Sequence, residues 1–318
     1  MNRLRHDTWI GCLSMVAAAL VFLIATKKML MREEPFYSWY YCFAWWSYIV
    51  SIESFLLCRH SSLSLIGSRE RFILQFPMSV TVWLIFEVLN FRLNNWEYLE
   101  IVVHRAWRWL GYGISFATVL PGIFATQRLL DHLGVASRIS CPPLSTPERL
   151  YLPFLAAGSL MLLFPVVWPR FFFPFVWLAF IFLLEPINHR FRGVSLLRDL
   201  QNGSPRQMVL LLIAGSVCGF LWEIWNYWAG SKWCYTIPFF GFLKIFEMPL
   251  LGFLGFPPFA VECYAMASSL YLLRDRMEKN LCGSRLTMAW VALGVMAVSF
   301  HLLVFWGIDH FTVVSFRM

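Results

Sequence analysis

Charge is scarce in this chain: Asp, Glu, Lys and Arg make up 14% of its 318 residues, against about 25% in an ordinary soluble protein. That scarcity excludes the pair of soluble domains that the length alone would suggest. The eight cysteines form no C-x-x-C pair and most fall inside apolar runs, so no disulfide or zinc framework follows. Neither G-x-G-x-x-G, nor G-x-x-x-x-G-K-[ST], nor H-E-x-x-H occurs, which argues against nucleotide hydrolysis and zinc-protease chemistry. Low-complexity segments are absent. The net charge of +8 is what orienting loop charges produce in a membrane chain and carries no nucleic-acid signal.

Apolar surface is plentiful, at 59% hydrophobic and 18% aromatic residues. Runs of roughly 20 apolar residues, each long enough to cross a ~30 Å hydrocarbon layer as a helix, recur along the whole sequence. They lie near 8–26, 35–58, 72–93, 110–134, 150–168, 171–191, 208–230, 249–273 and 286–306. The reading is an all-α, multi-pass protein of the cell inner membrane with about nine spans. The first run resembles a signal peptide, but it is long and has no A-x-A exit before Lys27 and Lys28, so it reads as a retained helix. Lys and Arg gather in the loops at 59–71, 135–149, 192–206 and 274–285, which places those loops and the N-terminus in the cytoplasm.

A repeat divides the sequence. Trp45 and Glu53 are matched by Trp177 and Glu185; Phe86-Glu87-x-x-Asn90-Phe91 and Trp96-x-Tyr98 are matched by Trp222-Glu223-x-x-Asn226-Tyr227 and Trp233-x-Tyr235. Pro121 to Thr126 answers Pro257 to Glu262, and all the offsets fall between 132 and 137 residues. Chance similarity of apolar runs would match Leu and Phe, not Glu, Asn and Trp-x-Tyr. The expected domains are a four-helix repeat at 1–136, a Pro/Ser-rich linker at 137–149, a second repeat at 150–275, and an added ninth helix with tail at 276–318. An even number of spans per copy makes the repeat parallel.

A carboxylate at membrane depth costs ~2.5–3.5 kcal/mol or more, so Glu53, Glu87, Glu185, Glu223 and Glu262 need partners, protonation or a wet cavity. Glu53 and Glu185 lie near their helix ends beside Arg59-His60 and His189-Arg190, where a structural ion pair suffices. Glu223 lies ~10 Å from the outer end of its helix, with Asn226, Gly219 and Ser216 on the same face. That small-residue stripe is either a close helix contact or a cavity wall. Glu262 follows Pro257-Pro258, a pair expected to bend its helix, so the two acids could line one cavity. The first copy has Trp83 and Val80 in place of Gly219 and Ser216, and Thr126 in place of Glu262, which makes Glu87 and Asn90 secondary candidates. Aromatics crowd the region, including Trp222, Trp225, Tyr227, Trp233, Tyr235, Phe239, Phe240 and Phe259. Many belong to an interfacial belt; the sharper reading is a π-lined pocket that holds a substrate and stabilises a cation. Lys232 to Pro249 is too broken by Pro and Gly for a clean span and reads as an interfacial segment or lid, with Asn94 to Trp109 as its counterpart. His301 reads as a packed core histidine.

Trp222-Glu223-x-x-Asn226-Tyr227, Lys232-Trp233-x-Tyr235 and Pro258-x-x-x-Glu262 resemble the membrane-embedded lycopene cyclase family of carotenoid biosynthesis, the heterodimeric or fused type. The resemblance covers about 208–270, with a fainter echo at 72–126. It departs from the family in having four spans per repeat rather than three and no second acid beside Glu262. What it implies is cofactor-independent, acid-initiated isomerisation: a neutral carboxylic acid protonates an alkene, aromatic faces hold the carbocation, and a base removes a proton. Glu223 and Glu262 would be acid and base in either order, with Asn226 orienting Glu223 and Trp222, Trp225, Tyr227, Trp233, Tyr235 and Phe259 binding substrate. The expected partner is a membrane lipid or isoprenoid, with no cofactor, metal or nucleic acid. The residues themselves leave two other readings open: a non-catalytic subunit or scaffold of a membrane complex, and a proton-coupled transporter.

Overall fold

The computed structural model describes residues 2–59, 64, 69–239 and 241–316, and the side chains of 8–59, 64, 72–239 and 241–315. His60, Phe240 and most of the 59–71 loop lie outside these residues. Among the described residues, nine helical segments are long and apolar enough to cross a membrane, so the chain is a multi-pass helical membrane protein. Helices are what such sequences must form, because a span in lipid has to satisfy its backbone groups internally.

The spans are α1 (Asn2–Leu30), α2 (Tyr40–Arg59), α3 (Arg69–Leu93), α4 with α5 (Arg105–Phe116, Val119–His132) and α6 (Tyr151–Val167). After them come α7 with α8 (Pro169–Phe172, Ala179–Arg190), a short α9 (Leu196–Gln201), α10 (Arg206–Trp228), α11 (Phe256–Asn280) and α12 (Gly283–Phe311). Residues 133–146 form no helix or strand and pack back on α9, with Leu144 N–H donating to Leu200 O at 3.0 Å.

Two spans expected to be continuous are broken, each for a reason visible in its residues. Pro121 has no N–H for Ala117 O and its ring would strike that carbonyl, so the fourth span stops at Phe116 and restarts at Val119. Ser79 of α3 repairs the gap: its Oγ donates to Phe116 O at 2.6 Å and accepts from Leu120 N at 3.0 Å. Pro174 interrupts the sixth span, which divides into α7, a 3-10 turn at Phe173–Trp177, and α8. The eighth span differs from expectation. Pro257 and Pro258 occupy the first turn of α11, where missing N–H groups cost nothing, so the helix starts there instead of bending.

The fold is not purely helical. β1 (Trp96–Leu99) and β2 (Lys232–Tyr235) pair antiparallel, with Trp96 opposite Tyr235 and Tyr98 opposite Trp233. Period-2 Trp-x-Tyr suits a strand, since both rings fall on one side. β3 (Lys244–Ile245) and β4 (Met248–Pro249) form a small hairpin within the expected lid segment, and a salt bridge from Lys232 to Glu247 at 2.7 Å ties it to β2. α12 is no loose addition: it packs on α3, Thr81 contacts His301 Nε2 at 2.8 Å, and Thr312 O accepts from Tyr98 N at 2.9 Å.

Candidate functional site

The two Glu-x-x-Asn motifs are built alike. Each Glu lies within a helix and each Asn one turn nearer its C-terminal end, where the amide can reach the strand that follows. Asn90 donates to Trp96 O at 2.9 Å and accepts from Asn95 N at 2.8 Å and Trp96 N at 3.3 Å. Asn226 donates to Trp233 O at 2.8 Å and accepts from Trp233 N at 2.9 Å. Both amides therefore hold strands. Asn226, expected to orient Glu223, spends these bonds on β2, and β2 carries the group that reaches Glu223.

That group is Tyr235, whose hydroxyl donates to Glu223 Oε1 at 2.8 Å; Tyr98 donates to Glu87 Oε1 at 2.5 Å. The same oxygen of Glu87 also accepts from Trp83 Nε1 at 2.8 Å and Trp96 Nε1 at 3.2 Å, whereas Tyr235 is the hydrogen-bond donor that reaches Glu223. All four side chains of these two pairs are largely or fully buried. Burial pushes the pKa of both phenols well above the ordinary tyrosine range, and the adjacent carboxyl adds to this.

A cavity of about 180 Å³ lies beside the paired strands. An engineered apolar cavity of ~150 Å³ already holds a benzene-sized ligand. One face of α4 descends its wall at helical spacing: Arg108, Gly111, Tyr112, Ser115 and Phe116, continued by Val119, a run of roughly 16 Å. Trp83, Trp96, Tyr98, Trp177, Trp222, Trp233, Tyr235 and Phe259 supply the other walls. Of the expected substrate-binding residues, Trp222, Trp233, Tyr235 and Phe259 face this space. Trp225 is packed between Trp45 and Tyr48 with centroid distances of 4.9 and 5.8 Å, and Tyr227 is exposed under Lys232, so neither lines it.

The acids sit behind this wall. Neither Glu223 nor Glu262 is among the lining residues, which corrects the expectation that both line one cavity. Glu262 accepts from Phe180 N at 2.7 Å, capping the start of α8 from a neighbouring helix. The Gly219 stripe proves to be a helix contact: a Cβ at Gly219 would overlap the ring of Phe256, and one at Gly215 would stand 2.8 Å from Ala260 Cβ. Ser216 is exposed and bonds Leu212 O at 3.0 Å. Glu53 pairs with Arg128 and accepts from Ser64 Oγ at 2.9 Å, and Glu185 accepts from Ser195 Oγ at 2.8 Å and Leu197 N at 3.1 Å.

One cluster at the cavity escaped the sequence reading. Asp309 of α12 takes a bidentate grip on Arg108 at 2.7 Å to both Nε and Nη2, and also accepts from Trp109 Nε1 at 2.9 Å and Tyr112 Oη at 3.0 Å. An acid at the end of an apolar helix was the available signal. Among the described residues no group of three or more His, Cys, Asp and Glu could hold a metal ion.

No family model, curated protein or solved structure matches the chain. The functional reading therefore rests on the geometry of the cavity and its two Tyr/Glu pairs.

Proposed function

We propose that the chain is an isomerase embedded in the membrane, in which a buried carboxyl passes a proton through a tyrosine to an apolar isoprenoid or lipid held among aromatic rings. The observation that carries this reading is that Tyr98 and Tyr235 line the cavity while donating to Glu87 and Glu223 behind it. The tyrosine is then the group that meets substrate. With its hydroxyl turned to the cavity, the phenol O–H breaks as the proton bonds an alkene carbon, and the carboxyl O–H breaks as its proton bonds the phenol oxygen. The resulting carbocation faces Trp83, Trp177, Trp222 and Phe259, each π face stabilising it by ~0.5–2 kcal/mol. Loss of a proton from a neighbouring carbon, returned along the same pair, completes a double-bond shift or ring closure. Tyr235 with Glu223 is the preferred pair, since three donors already fix Glu87. This chemistry agrees in kind with the carotenoid cyclase resemblance, with Asn226 and Asn90 as positioning residues and Glu262 as the more remote acid.

The same proposal takes the chain as two parallel copies of a four-span unit, with the N-terminus and the basic loops in the cytoplasm. Support comes from contacts that recur at matching positions. Besides the Glu/Tyr and Asn/Trp pairs, Ser64 donates to Glu53 at 2.9 Å as Ser195 does to Glu185, and Thr126 meets Tyr48 at 2.8 Å as Glu262 meets Phe180. The register of β1 on β2 is symmetric about Glu97 and Cys234.

The backbone contacts of Glu262 and both Asn residues favour a second reading, a non-catalytic scaffold whose polar groups only join helices. Expression in a lycopene-accumulating host, followed by pigment and lipid analysis, separates the two. A cyclised or isomerised product absent from the empty-vector host supports the isomerase; unchanged pigments and lipids with the protein inserted support the scaffold.

A further inference from the structure

Asn95 has its backbone pinned from both sides, its N–H on Asn90 Oδ1 at 2.8 Å and its carbonyl on Thr236 N at 2.9 Å. Its side chain is 2% exposed and lines the cavity, yet neither Oδ1 nor Nδ2 has a hydrogen-bond partner. The indole N–H of Trp222, another lining group, is also without an acceptor. Buried amides are almost always paired. Among the described residues the rest of the wall is chiefly aromatic and aliphatic, its cations are Arg108 and Lys232, and no Asp or Glu lines it.

Complementarity to this wall selects a ligand. A pure hydrocarbon leaves both amide atoms bare. A ketone or quinone serves Nδ2 alone. A fully ionised phosphate or carboxylate accepts but cannot give Oδ1 a proton, and an ammonium donates but cannot accept from Nδ2. A hydroxyl does both at once. Resting on the reading of the cavity as the substrate site, we propose that its ligand is an uncharged long-chain alcohol, isoprenoid or lipid, whose hydroxyl donates to one atom of the Asn95 carboxamide and accepts from the other while its chain lies among Trp83, Trp177, Trp222 and Phe259.

The test is binding to the full chain in lipid nanodiscs, read by quenching of the cavity tryptophans. The probes are geranylgeraniol, the same skeleton without its hydroxyl, and geranylgeranyl monophosphate. The alcohol is expected to bind about 10 to 100 times more tightly than the hydrocarbon, the scale of one or two buried hydrogen bonds. In Asn95→Leu, which keeps the volume and removes both polar atoms, the two should bind alike. Equal binding of alcohol and hydrocarbon to the unaltered chain, or tightest binding of the monophosphate, overturns the alcohol assignment and leaves the cavity as a ligand site. Binding of none of the three overturns the cavity reading itself. The series on the unaltered chain decides the matter even where Asn95→Leu fails to fold.

Discussion

Removing Asp309 tests how the last helix is fastened to the cavity wall. Asp309→Ala deletes the acceptor of four hydrogen bonds and leaves the Arg108 guanidinium, whose side chain is 8% exposed, without its counter-charge. Breaking one side of a buried ion pair costs ~3–5 kcal/mol. Two features set the expectation at the low end, about 3 kcal/mol. Asp309 itself keeps 15% exposure, and Arg108 retains the carbonyls of Val102 and Val103 at 3.2 and 2.6 Å. The uncharged pair Arg108→Met with Asp309→Leu removes both desolvated charges, so it should cost far less than the two single changes added together, with a coupling of roughly 2 kcal/mol. The assay is equilibrium unfolding in mixed micelles with rising SDS, followed by tryptophan fluorescence. A loss below ~1 kcal/mol for Asp309→Ala, or a double variant equal to the summed singles, would refute the reasoning.

Other substitutions probe the packing and the strands. Gly219→Ala forces a methyl against Phe256 and should destabilise by ~1–3 kcal/mol, whereas Gly113→Ala meets nothing within 4 Å and should stabilise α4 by ~0.5–1 kcal/mol; thermal unfolding in detergent compares them. Asn226→Ala leaves the N–H and carbonyl of Trp233 unmet and should lose ~1–3 kcal/mol for each, seen as faster amide exchange at 232–235 and 96–99 with α1 unchanged. Cys12 and Cys58 hold their sulfurs 3.6 Å apart, so a mild oxidant should join α1 to α2 by a disulfide that peptide mapping detects; two unlinked thiols after treatment would count against that contact.

The nine spans were legible because twenty apolar residues with few charges have few alternatives to a membrane helix. Their interruptions were not. A window averaged over twenty residues hides Pro121 and Pro174, and whether a proline breaks a span depends on a neighbour such as Ser79 standing ready to satisfy the freed groups. Glu223, Asn226 and the Trp-x-Tyr motif were visible as a cluster, but their order of contact was not: the sequence does not say that Asn226 spends both amide atoms on Trp233, or that Tyr235 stands between Glu223 and the cavity. The strands formed by the two Trp-x-Tyr motifs were hidden, because three residues of alternation are too short to mark a strand and the two partners lie far apart along the chain. Asp309 fell just beyond the expected end of its helix and so was never counted among the acids at membrane depth. Asn95 was passed over as one of two asparagines in a loop, because its importance lies in the absence of partners.

The most direct test of the proton relay is product formation by Tyr235→Phe and Glu223→Gln, each against the unaltered chain at matched expression in the membrane. Phe keeps the ring that lines the cavity and removes the O–H; Gln keeps an acceptor for Tyr235 and has no proton to give. Both variants are predicted to stay folded and inserted while product falls by roughly two or more orders of magnitude, the scale of losing a general acid. Full activity in either variant would contradict the relay and leave the Tyr235 to Glu223 bond as a structural brace.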